Sequence, residues 1–214
     1  ILTYTGTGSV ATVGHGLSKA PQMVIAKKRN DDGDTRGWAI YHSGLTSGTG
    51  LRLDLNSGEF SANGFWNSTA PSATVVTLGS GQETNQSADT YVAYCFTEVD
   101  GYSKIGSYTG TGNDDNGPFL YMGFRPAWIM VKKADAAENW FMIDVGRQPT
   151  NDGNIPRLIP NLTNTEVTDA SIAGDFVSNG FQVRATQNMI NNDNSRYIYM
   201  AFADQPFKYA NARL

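Results

Sequence analysis

The chain is poor in the residues on which most catalytic and metal sites depend. Its 214 residues contain one cysteine and two histidines, which are Cys95, His15 and His42. A single cysteine excludes an intrachain disulfide, and the absence of paired Cys or His residues at zinc-ligand spacing argues against a zinc site. The sequence also has no Gly-x-Ser-x-Gly nucleophile elbow and no phosphate-binding P-loop. We therefore expect a non-enzymatic protein with no metal and no cofactor.

Charge and long apolar runs are also scarce. Charged residues make up 17% of the chain, against ~25% in an average soluble domain. The formal net charge is −4 and no basic block occurs, so nucleic acid is not an expected partner. No apolar run reaches the ~18 residues of a membrane-spanning helix, so no membrane insertion is expected. No signal peptide is recognisable, and we expect Ile1 to begin inside a longer gene product or after processing.

Small polar residues take the place of the missing charges and helix formers. The chain has 23 glycines and is rich in Asn, Ser and Thr, a composition typical of short strands joined by many turns. The best helical pattern, at residues 164–173, is weak. We predict an all-β fold.

The sequence also contains an internal repeat. The pentapeptide YTGTG occurs at residues 4–8 and again at residues 108–112. Each copy is followed, at distances that differ by one residue, by an apolar strand pattern ending in two lysines, at residues 21–28 and 126–133. We interpret the second pentapeptide as the start of a second copy of one unit.

The repeat predicts two tandem β-sandwich or jelly-roll-like units of about 105 residues each, a size suited to such folds. The first unit would span residues 1–106 and the second 107–214. In an alternative packing, the two copies merge into one lectin-like sandwich.

Several local patterns give further predictions. Residues 51–55 alternate like a half-buried strand, Asn63 and Gly64 are typical of a turn, and residues 79–90 have the composition of a surface loop. His15 would cap a turn. Trp38 and Trp140 occupy equivalent places and are expected to be core anchors, and Cys95 is expected to be a buried thiol.

Trp66 is the strongest candidate for a ligand contact. It has no aromatic counterpart in the second unit and follows the predicted turn, beside Asn67 and Ser68. An aromatic ring next to amide and hydroxyl groups is a common way to hold a sugar. We therefore name Trp66 and Asn67 as ligand-binding candidates, with packing at an interface as the alternative role for Trp66.

The acidic run at residues 31–34 has carboxylates spaced closely around a glycine, as a calcium ion prefers. However, no Glu follows at the position that completes a calcium loop, and the second unit lacks the run. A solvated hairpin turn is the preferred interpretation, and residues 113–117 are interpreted in the same way.

Several longer motifs resemble a domain of tailed-bacteriophage virion proteins that is common in marine phages. They are YTGTG at 108–112, GFRPAWIMVKK at 123–133, FVSNGF at 176–181 and YIYMAFADQPFKYANAR at 197–213. The first unit is similar more loosely, through HGL at 15–17 and PQMVI at 21–25. These motifs are structural and name no catalytic residue. The resemblance implies a tail fibre, appendage or head-decoration protein.

Three functions remain open from the sequence. The first is a virion structural or adhesion protein that contacts other virion proteins and copies of itself as an oligomer. The second is a lectin-like module that reads a host surface glycan through Trp66. The third is a glycoside hydrolase, which would need two carboxylates at suitable separation.

Overall fold

The computed structural model describes residues 1–30, 33–34, 36–151, 153–169 and 172–205. These residues form fifteen β-strands and three four-residue helices, so the predicted all-β class is confirmed. The chain divides into two compact units, Ile1–Thr97 and Glu98–Leu214. This division lies nine residues before the boundary between residues 106 and 107 that the repeat predicts.

The first unit contains a six-stranded antiparallel sheet in the order β1-β8-β3-β4-β5-β6 and a two-stranded sheet of β2 and β7. The elements are β1 (Leu2–Thr5), β2 (Ala11–Gly14), β3 (Met23–Lys28), β4 (Ala39–His42), β5 (Thr49–Arg52), β6 (Phe60–Ser61), α1 (Asn63–Trp66), β7 (Val75–Leu78), α2 (Gln82–Asn85) and β8 (Thr90–Phe96).

The core of the first unit lies between these layers. Val24 and Ala93 of the large sheet pack with Val76 of β7 and with Phe65 and Trp66 of α1. The strand β3 pairs with β4 on one side and β8 on the other, and Met23 to Ala26 are buried on both faces. The apolar pattern at residues 22–28 therefore predicted this central strand correctly.

The second unit contains a four-stranded sheet in the order β12-β11-β15-β9 and a three-stranded sheet in the order β10-β14-β13. The elements are β9 (Ser103–Thr109), β10 (Phe119–Tyr121), β11 (Pro126–Lys133), β12 (Phe141–Asp144), β13 (Gly174–Val177), β14 (Gly180–Val183), α3 (Asn188–Asn191) and β15 (Arg196–Ala203).

The core of the second unit also lies between its sheets. Ile129 and Tyr197 of the larger sheet pack in one cluster with Phe176 and Phe181 of the smaller one. Each named sheet is formed by strands of a single unit. This supports the two-unit alternative over one merged sandwich.

The repeated pentapeptide has the same structural role in both units. Its first glycine approaches another segment so closely that a Cβ would lie 2.0 Å from the Gln86 carbonyl oxygen at Gly6, and 2.2 Å from that of Asn192 at Gly110. Its second glycine has a φ of +72° at Gly8 and +63° at Gly112, a region that L-residues with side chains disfavour. Both glycines are therefore required by the backbone.

Three local predictions are wrong. Asn63 and Gly64 begin the helix α1 rather than a hairpin turn. The strand β5 ends at Arg52, and Leu55 is exposed. Residues 79–90 contain the helix α2, whose Thr84 is fully buried, and are therefore not a surface loop.

The weak helical pattern at residues 164–173 does not form a named helix in its described part, where Val167 makes an isolated β-bridge with Arg157. No helix among the described residues is long and apolar enough to cross a bilayer.

Candidate functional site

The first unit has a pocket of about 190 Å³ beside the end of β4. It is bounded on one side by the connection from β4 to β5 and on the other by the segment that follows α1. The residues that line it are Tyr41, His42, Ser43, Leu45, Thr46, Ser47, Gly48, Thr49, Ala62, Trp66, Ser68, Thr69 and Ala70.

The lining of this pocket combines aromatic rings with hydroxyl groups and contains no Asp, Glu, Lys or Arg. Six of its members are serine or threonine, and two are the aromatic residues Tyr41 and Trp66. Such a lining presents apolar surface and neutral hydrogen-bonding groups together. It is suited to an uncharged ligand that carries hydroxyl groups, since a charged ligand would lose hydration without gaining a counter-charge.

Trp66 lies in the wall of the pocket but is only 2% exposed. The expected exposed loop tip is instead the last residue of α1, whose indole packs in the core and donates from Nε1 to the Ile40 carbonyl at 3.3 Å. The ring is therefore held rigidly by the fold. At 2% exposure it offers a ligand only a small, fixed edge and not the stacking platform expected from the sequence.

Asn67 does not line the pocket. It ends α1 in a left-handed conformation with a φ of 51°, and its backbone N–H donates to the Asn63 carbonyl. Ser68, which does line the pocket, also has a positive φ of 50°. Two consecutive non-glycine residues in this region cost about 1–3 kcal/mol each, a cost often found at ligand sites.

Glu59 holds in place the pocket wall that the connection from β4 to β5 forms. Its carboxylate accepts hydrogen bonds from the Thr46 backbone N–H and hydroxyl, both at 2.8 Å, and from the Thr49 hydroxyl at 2.7 Å. These contacts fix the connection between β4 and β5 against β6. The pocket wall is thus ordered before any ligand arrives, which lowers the entropic cost of binding.

The polar atoms of Tyr41 and His42 differ in their hydrogen bonding. The Tyr41 hydroxyl has no hydrogen-bond partner within the described part of the chain, and burial raises the pKa of this phenol. The His42 Nδ1 accepts from the Gly44 N–H at 3.0 Å, so this nitrogen is unprotonated. The Tyr41 hydroxyl is therefore free to bond a ligand.

The corresponding place in the second unit has different chemistry. In the register of the sheets, Ile143 and Asp144 stand where the first unit has Tyr41 and His42. Asp144 forms an ion pair with Arg147, which also contacts Glu166 at 2.6 Å. The described residues at the end of β12 therefore carry charges where the lining of the first-unit pocket has none.

The sequence pointed to Trp66 but missed most of the site. Tyr41 and His42 lie in an ordinary strand pattern, and nothing local distinguishes them. The available signal was the dense run of Ser, Thr and Gly at residues 43–50, which faces a second hydroxyl-rich run at 67–70 across the pocket. The two runs meet because α1 packs against β4, where the Trp66 Nε1 donates to the Ile40 carbonyl, and because the Ala62 N–H donates to the Gly48 carbonyl.

Other candidates from the sequence have structural roles. The His15 Nδ1 accepts from the Leu17 N–H at 3.1 Å, in agreement with the predicted turn cap. Cys95 is half-buried rather than fully buried, and burial raises the pKa of its thiol, so the thiolate is disfavoured. The expectation that Trp38 is a core anchor is wrong, because its side chain is only half-buried and has the Lys27 ammonium over its ring.

The acidic runs gather no metal-ligand set in the part of the chain that the structure describes. Asp31 and Asp32 of the calcium candidate lie outside the described residues, whereas Asp34 forms an ion pair with Arg36 at 2.6 Å. In the second run, Asp114 accepts from the backbone N–H of Asp115 at 3.2 Å.

Comparison with protein families places the chain in one of them. Residues 1–206 match the model of the domain of unknown function DUF7483, and the chain therefore belongs to this family. No curated protein matches the chain, and neither does any solved structure.

Proposed function

We propose that this member of the DUF7483 family is a non-enzymatic binding protein whose first unit holds a neutral, hydroxyl-rich ligand such as one sugar residue of a glycan. The observation that carries the proposal is the pocket beside β4, where Trp66, Tyr41 and six hydroxyl side chains converge without a charged group. Sugars present apolar faces and hydroxyl edges, and this lining offers a complement to both.

The size of the pocket sets the scale of the ligand. At about 190 Å³, it is smaller than the ~300–1,000 Å³ sites that hold drug-sized molecules. It therefore accommodates one ring, or the end of a longer chain that continues into solvent. Affinity for a single site of this size is expected to be modest, and several copies of the chain acting together would increase it.

Binding without cleavage fits the position of the acidic groups. Glycoside hydrolysis commonly needs two carboxyl groups about 5–10 Å apart on either side of the bond. No carboxylate lines this pocket, and Glu59 behind it already accepts three hydrogen bonds from Thr46 and Thr49. The arrangement favours a lectin-like role over a hydrolase.

The setting we propose is a bacteriophage particle, where the chain would serve as a tail fibre, appendage or head-decoration protein. The support for this part is the resemblance of residues 108–112, 123–133, 176–181 and 197–213 to virion domains. Its partners there would be other virion proteins, further copies of the chain and a glycan of the host surface.

The ligand part of the proposal is tested by glycan-array screening followed by calorimetry with any saccharide that binds. Ala70 lies exposed at the pocket, so Ala70→Trp fills the site without disturbing the core. We expect this variant to lose binding. Ala20→Trp is the matched control, because Ala20 is exposed in the same unit and outside the pocket lining.

Tyr41→Phe gives a finer test. It removes only a hydroxyl group that bonds to none of the described residues, so the fold should be unaffected. Loss of one ligand hydrogen bond predicts binding weaker by about 5–10-fold. Equal loss in Ala70→Trp and Ala20→Trp, or no neutral saccharide bound by the wild type, would refute the ligand proposal.

The particle part is tested separately by mass spectrometry of purified phage particles whose genome encodes the chain. We expect its peptides at a stoichiometry typical of structural proteins. Their absence from purified particles would refute the virion setting and leave the ligand test unaffected.

A further inference from the structure

The end of β11 brings a lysine, an amide and a carboxylate into one chain of contacts. The Lys133 Nζ lies 2.5 Å from Oδ1 of Asn188, the first residue of α3. The Nδ2 of the same amide donates to Oε2 of Glu138 at 2.6 Å. The other oxygen of Glu138 accepts from the Asn139 backbone N–H at 3.0 Å, which fixes the carboxylate.

We propose that Lys133 and Asn188 become joined by an intramolecular isopeptide bond, with Glu138 as the general acid. This modification is independent of the pocket and of the ligand proposed above. It is inferred from the positions of these three side chains, none of which lines the pocket.

The three positions match the three roles that the reaction requires. A lysine amine is a nucleophile, and Lys133 is 5% exposed and aimed at the carbonyl end of the amide. Since Oδ1 is bonded to the carbonyl carbon, a small side-chain rotation takes Nζ to the ~3–3.5 Å approach of a near-attack geometry. Glu138 contacts Nδ2, which is the atom that must leave.

The atoms balance without an oxidant or a second reactant. The Lys133 ammonium first loses a proton to water, and its Nζ then forms a bond to Cγ of Asn188. The Glu138 carboxylate takes up the second proton that Nζ releases in the tetrahedral intermediate, and then donates it to Nδ2. The Cγ–Nδ2 bond breaks, and ammonia leaves through the exposed side of Asn188.

The neighbouring lysine does not compete. Lys132 is fully buried, and its ammonium donates to the backbone carbonyls of Lys133 and Ala136. These carbonyls are peptide groups within its own segment. Lys133 is therefore the residue of this pair that reaches a side-chain amide.

The first unit provides a comparison that lacks the reaction geometry. Lys28 has the register position of Lys133, since each pairs with the tyrosine at the second position of the opposite strand, Tyr91 in β8 and Tyr197 in β15. Its ammonium lies 2.8 Å from the Asp89 carboxylate instead of an amide. The amide at the start of the preceding helix, Gln82, accepts from Arg36. We expect a cross-link in the second unit alone.

The test is mass spectrometry of the purified full chain. The wild type is expected to have a mass lower than that of its sequence by one ammonia, and trypsin should leave it uncut after Lys133. A peptide containing residues 133 and 188 joined by an amide identifies the bond. This assignment is needed because a succinimide at an Asn-Gly sequence, such as Asn179-Gly180, loses the same ammonia.

Three variants separate the roles. Lys133→Arg keeps the positive charge but cannot form the amide, so it should retain the full sequence mass. Glu138→Gln should slow cross-linking by at least about tenfold, because general-acid catalysis typically contributes about 100-fold or more to a rate. Lys28→Arg, the matched control, should cross-link like the wild type. Circular dichroism would establish that each variant is folded.

Two results would overturn the proposal or part of it. A folded wild-type chain that keeps its full mass and releases a linear Lys133 peptide after prolonged incubation would mean that Lys133 and Asn188 form only a hydrogen bond. A cross-link that forms at the wild-type rate in Glu138→Gln would remove the general-acid role of Glu138.

Discussion

The side chain of Asn191 makes in the second unit the same set of hydrogen bonds that Asn85 makes in the first. Each Oδ1 accepts a backbone N–H at 2.7 Å, from Thr7 for Asn85 and from Thr111 for Asn191. Each Nδ2 donates to two backbone carbonyls, and both residues are fully buried. The YTGTG pentapeptide is therefore the segment that a buried asparagine holds in place.

A stacked pair of tyrosines accompanies this asparagine in both units. The rings of Tyr4 and Tyr91 are 5.2 Å apart, and those of Tyr108 and Tyr197 are 4.9 Å apart, with an interplanar angle of 11° in each case. Such agreement in polar and aromatic contacts supports the hypothesis of an internal duplication. It also explains why the pentapeptide recurs, because its tyrosine, threonine and glycines all have partners.

Replacing Asn191 by alanine should destabilise the second unit strongly. The change leaves the Thr111 N–H and the carbonyl of Ala185 without their buried partner, and each such group costs about 1–3 kcal/mol. We expect a loss of about 2–5 kcal/mol in the free energy of unfolding, measured by chemical denaturation. Asn164→Ala, at an exposed position of the same unit, should change it by less than about 0.5 kcal/mol.

An effect of Asn191→Ala no larger than that of Asn164→Ala would contradict the role assigned to the buried amide. Because the two units can unfold in separate transitions, near-ultraviolet circular dichroism should accompany the denaturation curve. The first unit, in which Asn85 still holds its YTGTG pentapeptide, then serves as an internal reference.

A second prediction concerns the close approach at Gly110. A Cβ there would lie 2.2 Å from a backbone oxygen, a clash that no side-chain rotation relieves. Gly110→Ala should therefore lower the unfolding midpoint more than Gly123→Ala. At Gly123 the φ is +78° and the nearest atom to a Cβ is 3.8 Å away, so only a backbone strain of about 1 kcal/mol is expected. Equal midpoints for the two variants would mean that the segment shifts freely.

The fold shows which parts of the structure local sequence patterns can predict. The strands β3 and β11 were predictable because apolar residues on both faces mark a central strand. Residues 79–90 were misassigned because a buried polar residue such as Asn85 has the same local pattern as a surface one. Its burial depends on partners such as Thr7, which are remote in sequence.

The candidate site was predictable only in part for the same reason. Trp66 could be singled out because the second unit has no aromatic residue at the equivalent position. However, Asn63 begins a helix rather than the expected turn, and this helix places the indole in the core. The local sequence does not mark Tyr41 as a site residue. Its place in the pocket depends on the connection from β4 to β5, which Glu59 holds by hydrogen bonds. The pocket forms where residues 41–49 meet residues 62–70, and the local sequence pattern of either segment does not predict this contact.

A third prediction follows from the buried tyrosines of the second unit. Burial raises the pKa of Tyr197 and of Tyr199 from 10.0 to about 12. Between these values the unfolded chain releases protons that the folded chain keeps, so stability falls as pH rises. We expect the stabilising contribution of these two phenols to be complete below about pH 10 and to be lost progressively up to about pH 12, measured by denaturant unfolding across this range. A flat profile through this window would show that both phenols ionise in the folded state.

The final prediction compares the two equivalent tryptophans. Trp140 is 1% exposed, whereas Trp38 is half-buried and has the Lys27 ammonium 5.7 Å from its ring. Trp140→Ala should cost about 3–5 kcal/mol, since it removes a large buried side chain and leaves a cavity. Trp38→Ala should cost less, because water can fill the space and the cation–π contact is worth only about 0.5–1 kcal/mol at an exposed site. Denaturation midpoints of the two variants measure the difference, and a larger loss for Trp38→Ala would mean that exposure does not govern the contribution of these rings.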